Sequence, residues 1–207
     1  MKKTRIIAGL LLLLLLPALA SCGLIERVEA AVTYPDAYSI SYERKTADGR
    51  IFTVTKTVDE DGNLYYKDER RELLFLADGA AYTLYEKNAD GAFVATEGVK
   101  YTREAAEKET EGFDALAKKT TDRFIPTAKK TGETTVAGRT ADTYRLGVNL
   151  LAVSFYHIYS VDRESGVCLG VAVVNTVFGT ETEGKEDTFT CVRFETEDIE
   201  DLTSKIS

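Results

Sequence analysis

The chain has 207 residues, with 26 Lys and Arg against 34 Asp and Glu, one His and no Trp, for a formal charge of −8. That balance argues against a nucleic-acid partner, which needs a basic footprint. A single histidine, with three cysteines at spacings that match no metal motif, argues against a zinc site. No metal or cofactor is expected.

Lys2, Lys3 and Arg5 open the chain and Ile6 to Leu16 follow as an apolar core. A spanning helix needs roughly 20 apolar residues. This stretch is shorter and reads as a secretory signal. It ends in Leu19-Ala20-Ser21-Cys22, which resembles the bacterial lipobox, and the chain resembles bacterial lipoproteins there. The resemblance implies a diacylglycerol on Cys22, cleavage before it, and a further acyl chain (a palmitate) on the new N-terminus. One acyl chain anchors marginally, at about 0.8 kcal/mol per buried CH₂, whereas two or three hold stably. Residues 1–21 are then a signal peptide, and Cys22 is the attachment to the membrane. They carry three of the basic residues and none of the acidic ones, which leaves 23 against 34 and a charge of −11. Such a surface does not lie flat on an anionic leaflet. The expected place is the cell envelope, membrane-anchored and extracytoplasmic.

Residues 22–36 read as a lipidated N-terminus and tether, with "GLIERVEAAV" able to add a helical turn or two. Residues 37–207 read as a single β-rich domain. "AYSISYERK" puts Tyr38, Ile40 and Tyr42 on one face, and "RIFTVTKTV" does the same with Phe52, Val54 and Val58. Asp48-Gly49, Asp61-Gly62, Asp78-Gly79 and Asp90-Gly91 are hairpin signals, because glycine takes positive φ freely. The pattern predicts an antiparallel meander of about six strands from Ala37 to Thr96. Thr102 to Thr121 is the best helix candidate, capped by Thr102, with a thin apolar stripe of Ala106, Phe113, Leu116 and Ala117. Such a helix rests on a sheet rather than forming a core alone. Strands resume in a hairpin around Ala137-Gly138-Arg139, in two strands joined by Asp162 to Gly166, and in "EDTFTCVRFET". Asp198 to Ser207 is polar and is expected to fray.

With that order in view, "TVAGRTADTYRL" and "YSVDRESGVCLGVAVV" resemble the bacterial lipoprotein-localisation carriers (LolA/LolB-like). Val136, Gly138, Tyr144, Asp162, Gly166 and Leu169 carry the likeness, which spans roughly Tyr38 to Glu195. It implies a mainly β fold: a curved antiparallel sheet, an open half-barrel, with one or two helices covering its concave face. It also implies a cavity for acyl chains. The absence of Trp departs from the lipid sites of those carriers and sets lipoprotein transfer apart from this chain.

The aromatic faces suggest Tyr38, Tyr42, Phe52, Phe75 and Tyr82 as the lining of a hydrophobic cavity, closed by Phe113 and Leu116 from the helix. Tyr66, Phe155 and Tyr159 share those faces. Ordinary core packing is the competing reading of all of them. The primary expectation is a lipoprotein that binds a hydrophobic ligand or lipid there. The alternative is a structural or regulatory lipoprotein that binds another envelope protein through an edge strand or patch. An enzyme is not expected. His157 with Ser154 and Asp162 cannot make a triad from one strand, and there is no G-x-S-x-G elbow. "VDEDGNLYYKD" lacks the Asp and Glu that open and close a calcium loop and reads as a hairpin turn. Cys168 and Cys191 are expected as free, buried thiols. The polar run "TETEGKED" centres a loop three or four residues beyond the position for direct pairing, which puts the two several residues out of register.

Replacing Cys22 with Ser should abolish incorporation of a labelled fatty acid and leave a precursor or a soluble product. Label retained by the variant would refute the anchor.

Overall fold

The computed structural model describes residues 34–110, 129–150, 153–184 and 187–206. Cys22, Phe113 and Leu116 lie outside them, as does the second half of the expected helix. Twelve strands form one antiparallel sheet among the described residues. In chain order they are β1 (Tyr38–Lys45), β2 (Ile51–Val58), β3 (Leu64–Lys67), β4 (Glu72–Asp78), β5 (Ala81–Lys87) and β6 (Phe93–Tyr101), then α1 (Arg103–Glu109). They continue as β7 (Lys129–Val136), β8 (Arg139–Leu150), β9 (Val153–Asp162), β10 (Cys168–Val177), β11 (Thr180–Glu183) and β12 (Thr188–Glu195), followed by a 3-10 turn at Leu202–Ile206. The spatial order is β6-β5-β4-β3-β2-β1-β12-β10-β9-β8-β7, with β11 folded back on β10. This is the open antiparallel sheet that the resemblance implies.

The first wing is the meander that the Asp-Gly signals predict. Gly49, Gly62, Gly79 and Gly91 all have positive φ at its turns. One turn lacks glycine: between β3 and β4, Asp68 Oδ1 accepts the N–H groups of Arg70 and Arg71 at 2.7 and 2.9 Å, a side-chain substitute for a backbone turn. At the β2–β3 turn the buried Asp59 carboxylate accepts N–H groups from Asp61, Asn63 (backbone and side chain) and Leu202. The turn reading of that stretch is what the fold uses, and the carboxylate also ties down the C-terminus. The expected fraying there is corrected by this bond: Leu202 is fully buried and its 3-10 turn packs on β4 and β6.

The second wing, β7 to β10, curls until β7 touches β12. Leu84 and Tyr82 of β5 and Ala141 and Tyr144 of β8 thereby share one core with Tyr38, Ile40 and Tyr42 of β1. The opposite face of β1 is polar and is zipped to β2 by Ser39–Thr57 and Ser41–Thr55 hydroxyl bonds of 3.0 and 2.9 Å. Helix α1 starts where expected, with Thr102 Oγ1 accepting the N–H of Ala105 at 3.2 Å, and its Ala106 joins the core. Thr110, at its C-terminal end, returns its hydroxyl to the carbonyls of Ala106 and Glu107.

The register expected for the cysteines is corrected. Thr180–Glu183 of the run "TETEGKED" is a strand, because a two-residue turn at Phe178-Gly179 sends it back along β10 as β11. Just beyond it Gly184 passes so close to Val173 that a Cβ would lie 2.4 Å from its Cγ1. β12 pairs with β10 near-directly, Gly170 with Thr190 and Val171 with Phe189. Cys168 and Cys191 therefore sit on adjacent strands close to register, and both are free buried thiols. Their Sγ atoms donate to the carbonyls of Gly170 at 3.4 Å and Arg193 at 3.2 Å. Burial pushes the Cys191 thiol up to about 11, so the nucleophilic thiolate is scarce at neutral pH. Iodoacetamide at pH 8 should leave Cys168 and Cys191 unmodified in the folded protein and alkylate both in denaturant. Rapid native labelling of Cys191 would show that its pocket opens.

Candidate functional site

The sequence-predicted aromatic residues separate into two groups. Tyr38, Tyr42, Phe75 and Tyr82 are buried members of the core. Tyr42 Oη donates to the carbonyl of Cys168 at 2.9 Å, and its ring meets Phe189 edge-on at 5.6 Å. Phe75 packs against Tyr101 at 5.2 Å, Tyr38 against Tyr34 at 4.9 Å, and Tyr82 Oη donates to the carbonyl of Gly62 at 3.1 Å. Their surfaces are taken up by neighbours. Phe52 alone of the five stays half-exposed, with the Arg44 guanidinium 5.7 Å above its ring. His157 shares its β9 face with Tyr159, and Tyr159 Oη lies 3.3 Å from its Nδ1. Asp162 is committed elsewhere, as described below. Among the described residues no group of three or more His, Cys, Asp or Glu could hold a metal ion.

Large apolar side chains are exposed singly at Ile51, Val94, Val99, Val192 and Ile206, and again at Phe155, Val177 and Phe178, on β9, β10 and the turn beyond them. β10 runs parallel to β1, two lanes away, and Val171 lies opposite Phe189, which lies opposite Arg44. β10 therefore continues about six residues, roughly 20 Å, past the Lys45 end of β1. β8, β9 and β11 extend with it, making a ribbon that projects from the sheet. The core face continues onto this ribbon. Tyr159 is buried, but further out Phe155 is 48% exposed and Val177 43%. At the apex Phe178 is 85% exposed.

Phe178 is anomalous in its backbone as well as its exposure. It and Gly179 have φ of 49° and 81°, the positive pair of a two-residue I′ hairpin, where Asn, Asp or Gly is normal. An aromatic residue there is strained by roughly 1–2 kcal/mol. Two local rules are broken by one side chain that no neighbour covers. The alternating residues on either side of Phe178-Gly179 were the available signal for this turn. Phe-Gly is an uncommon pair for it, and the sequence reads more simply as a strand ending in Phe.

The end of β8 and β9 away from the apex is held by a buried ion pair. Arg139 of β8 forks onto Asp162 of β9, with Nε to Oδ1 at 2.9 Å and Nη2 to Oδ2 at 3.0 Å. Ser165 adds its N–H and hydroxyl to Oδ2 at 2.9 and 2.6 Å, closing the β9–β10 turn. The same guanidinium lies 4.9 Å over the ring of Phe194 in β12. Burial alone would raise the Asp162 carboxyl. The Arg139 fork and the Ser165 bonds outweigh that and hold it below its ordinary 3.8. The sequence singled out Asp162 and Gly166 as turn residues, but the partner is 23 residues away and was not legible.

No family model matches the chain, and no curated protein sequence does. Solved structures resemble it in arrangement. The crystal structure of MucB has a TM-score of 0.41 at 18% identity, over 86% of this chain and 59% of that one. MucB in complex with MucA(peri) has 0.39 at 18%, over 83% and 54%. The Pseudomonas aeruginosa MucA/MucB complex has 0.39 at 16%, over 83% and 55%. The chain thus spans little more than half the length of these structures, and at such scores the likeness carries nothing about function.

Replacing Arg139 with Met strands a buried carboxylate and should destabilise the protein by about 3–5 kcal/mol at pH 7. The depressed pKa gives the sign of the pH dependence. The wild-type pair contributes fully above about pH 4, and its contribution disappears as pH falls through the folded pKa of Asp162. Urea unfolding of the two proteins should therefore converge as the pH is lowered below 3.8. A gap that stays constant with pH would show that the loss is packing alone.

Proposed function

We propose that this protein is a non-catalytic envelope lipoprotein, anchored through Cys22, whose projecting ribbon docks another envelope protein by its exposed apolar strip. Residues 1–21 serve as the signal peptide and residues 22–36 as the tether. The observation that carries the reading is Phe178, which is at once 85% exposed and held at positive φ. Aromatic side chains at exposed, rigid positions are the usual anchors of protein interfaces. Phe155 and Val177 continue the anchor into a strip, and the two-residue turn fixes its geometry before any partner arrives, which lowers the entropy lost on docking.

The placement of the ends supports the same reading. The chain enters the sheet at Tyr38, whereas the ribbon leaves it beyond Lys45, at the opposite end of β1. A tether at one pole holds the apolar apex away from the bilayer, where it meets proteins rather than lipid tails. Glu181 close to the apex also disfavours an anionic membrane surface. The hydrophobic-ligand reading draws less support, because Tyr38, Tyr42, Phe75 and Tyr82 are occupied by core neighbours.

Replacing Phe178 with Asn should leave the fold intact and stabilise it by up to about 1 kcal/mol, since Asn suits the turn. A photocrosslinking residue at Val177 should capture an envelope protein in cells when Phe178 is present and lose it in the Asn variant. Crosslinks to lipid only, or identical adducts with and without Phe178, would overturn the docking reading.

A further inference from the structure

The other wing carries a groove that the docking reading does not use. It lies at the Lys45 end of the concave face, where Arg44 of β1, Arg50 before β2, and Arg70 and Arg71 of the β3–β4 turn surround a space of about 340 Å³. Phe52 and Tyr66 form its floor. Four guanidiniums around one groove is unexpected in a chain with a formal charge of −8.

The arginines are held in place by the fold. The Arg71 guanidinium sits 5.3 Å over the Tyr66 ring and is fixed to the end of α1 by Glu109, through Oε2 at 3.0 Å and the carbonyl at 2.7 Å. Arg44 stacks on Phe52 and pairs with Asp187 through Nη2. Arg50 is bonded to Asp48 at 2.9 Å and to both oxygens of Glu69 at 3.1 Å. The carboxylates that line the groove are Asp68 and Glu69. Asp68 is already engaged by the N–H groups of Arg70 and Arg71 and by Tyr66 Oη at 2.9 Å. Donor capacity remains. The exposed Arg70 guanidinium has no protein acceptor among the described residues, and the buried Nε of Arg44 has none either.

We propose that this groove binds an oxyanion, a carboxylate or phosphate group on a small organic ligand, with Arg70 and the rim arginines as donors and the Phe52–Tyr66 floor under the rest of the molecule. Guanidinium donors match both groups geometrically, in paired, charge-assisted hydrogen bonds. Glu69 occupies part of the rim as an internal competitor, since it takes up Arg50. The inference stands apart from the docking reading: the groove is on β1 to β4, and the ribbon is on β8 to β11.

Calorimetric titration of the full chain in detergent, at constant ionic strength in chloride, tests it with two probes, inorganic phosphate and benzoate. At least one should bind saturably. Phosphate alone would identify the oxyanion as the recognised element, and stronger binding of benzoate would add the aromatic floor. Arg70→Gln should weaken binding about tenfold, the loss of one charge-assisted pair. Glu69→Gln should strengthen it by freeing Arg50, a gain that a merely structural role would not produce. Both side chains are exposed, so thermal midpoints should hold within about 2 °C. Saturable binding by neither probe, wild-type affinity in Arg70→Gln, or weaker binding in Glu69→Gln would each overturn the proposal.

Discussion

An antiparallel sheet with one apolar face must either close into a barrel or bend until that face covers itself. This sheet bends. β5 at one side and β8 at the other bring Leu84 and Tyr144 into the same core without β6 and β7 ever pairing. Everything else follows from that choice. Two free edges have to be kept from recruiting other chains. β6 is interrupted by Gly98 at positive φ, and its pairing with β5 shifts register between Thr83 and Tyr85. β7 begins with Lys129 and Lys130, and Lys130 is bridged to Asp142 at 2.8 Å. Charge and irregularity stand where a barrel would have hydrogen bonds.

Two buried carboxylates help hold the bent sheet together. Asp59 draws in N–H groups from its own turn and from Leu202, so the meander and the C-terminus share one acceptor. Asp162 draws in Arg139 and Ser165 and, through the stacking of Arg139 on Phe194, connects the second wing to β12. Asp59 thereby reaches a segment 143 residues away, and the Arg139–Asp162 pair reaches across to Phe194 of β12. Neither carboxylate is exposed to solvent to any extent that would let water do the same work.

Local chemistry was legible in the sequence and distant chemistry was not. Alternation placed Tyr38, Ile40 and Tyr42 on the core face, Asp-Gly pairs marked four of the turns, and Thr102 marked the start of α1, because each of these depends on residues within a few positions. The turn at Glu69-Arg70 was marked only by the break between the strand segments on either side of it, because its φ angles are ordinary and a side chain, Asp68, supplies the hydrogen bonds. β11 escaped because Thr and Glu in alternation read as a polar loop, and its strand character depends on β10 beside it. The candidate site was hardest. Tyr42 and Phe75 look the same in sequence whether they line a cavity or fill a core. Phe178, the residue that departs most from its surroundings, was hidden by a turn of uncommon composition. The four arginines of the groove come from three separate segments, and only the fold gathers them.

The order of the strands has a consequence for how the protein is made. β12 lies between β1 and β10, so the first and last strands of the chain are neighbours at the middle of the sheet, with Ser39 beside Glu195. A polypeptide that emerges N-terminus first can build its β1–β6 meander early, as each strand finds the one before it. It cannot join that half to the other until Thr188–Glu195 has followed. Through that interval β1 presents Ile40 and Tyr42 on an open border, the kind of edge that invites aggregation. Completion therefore waits on the last strand, and such long-range pairing is slow to form. That delay is written into the sequence position of the central strand.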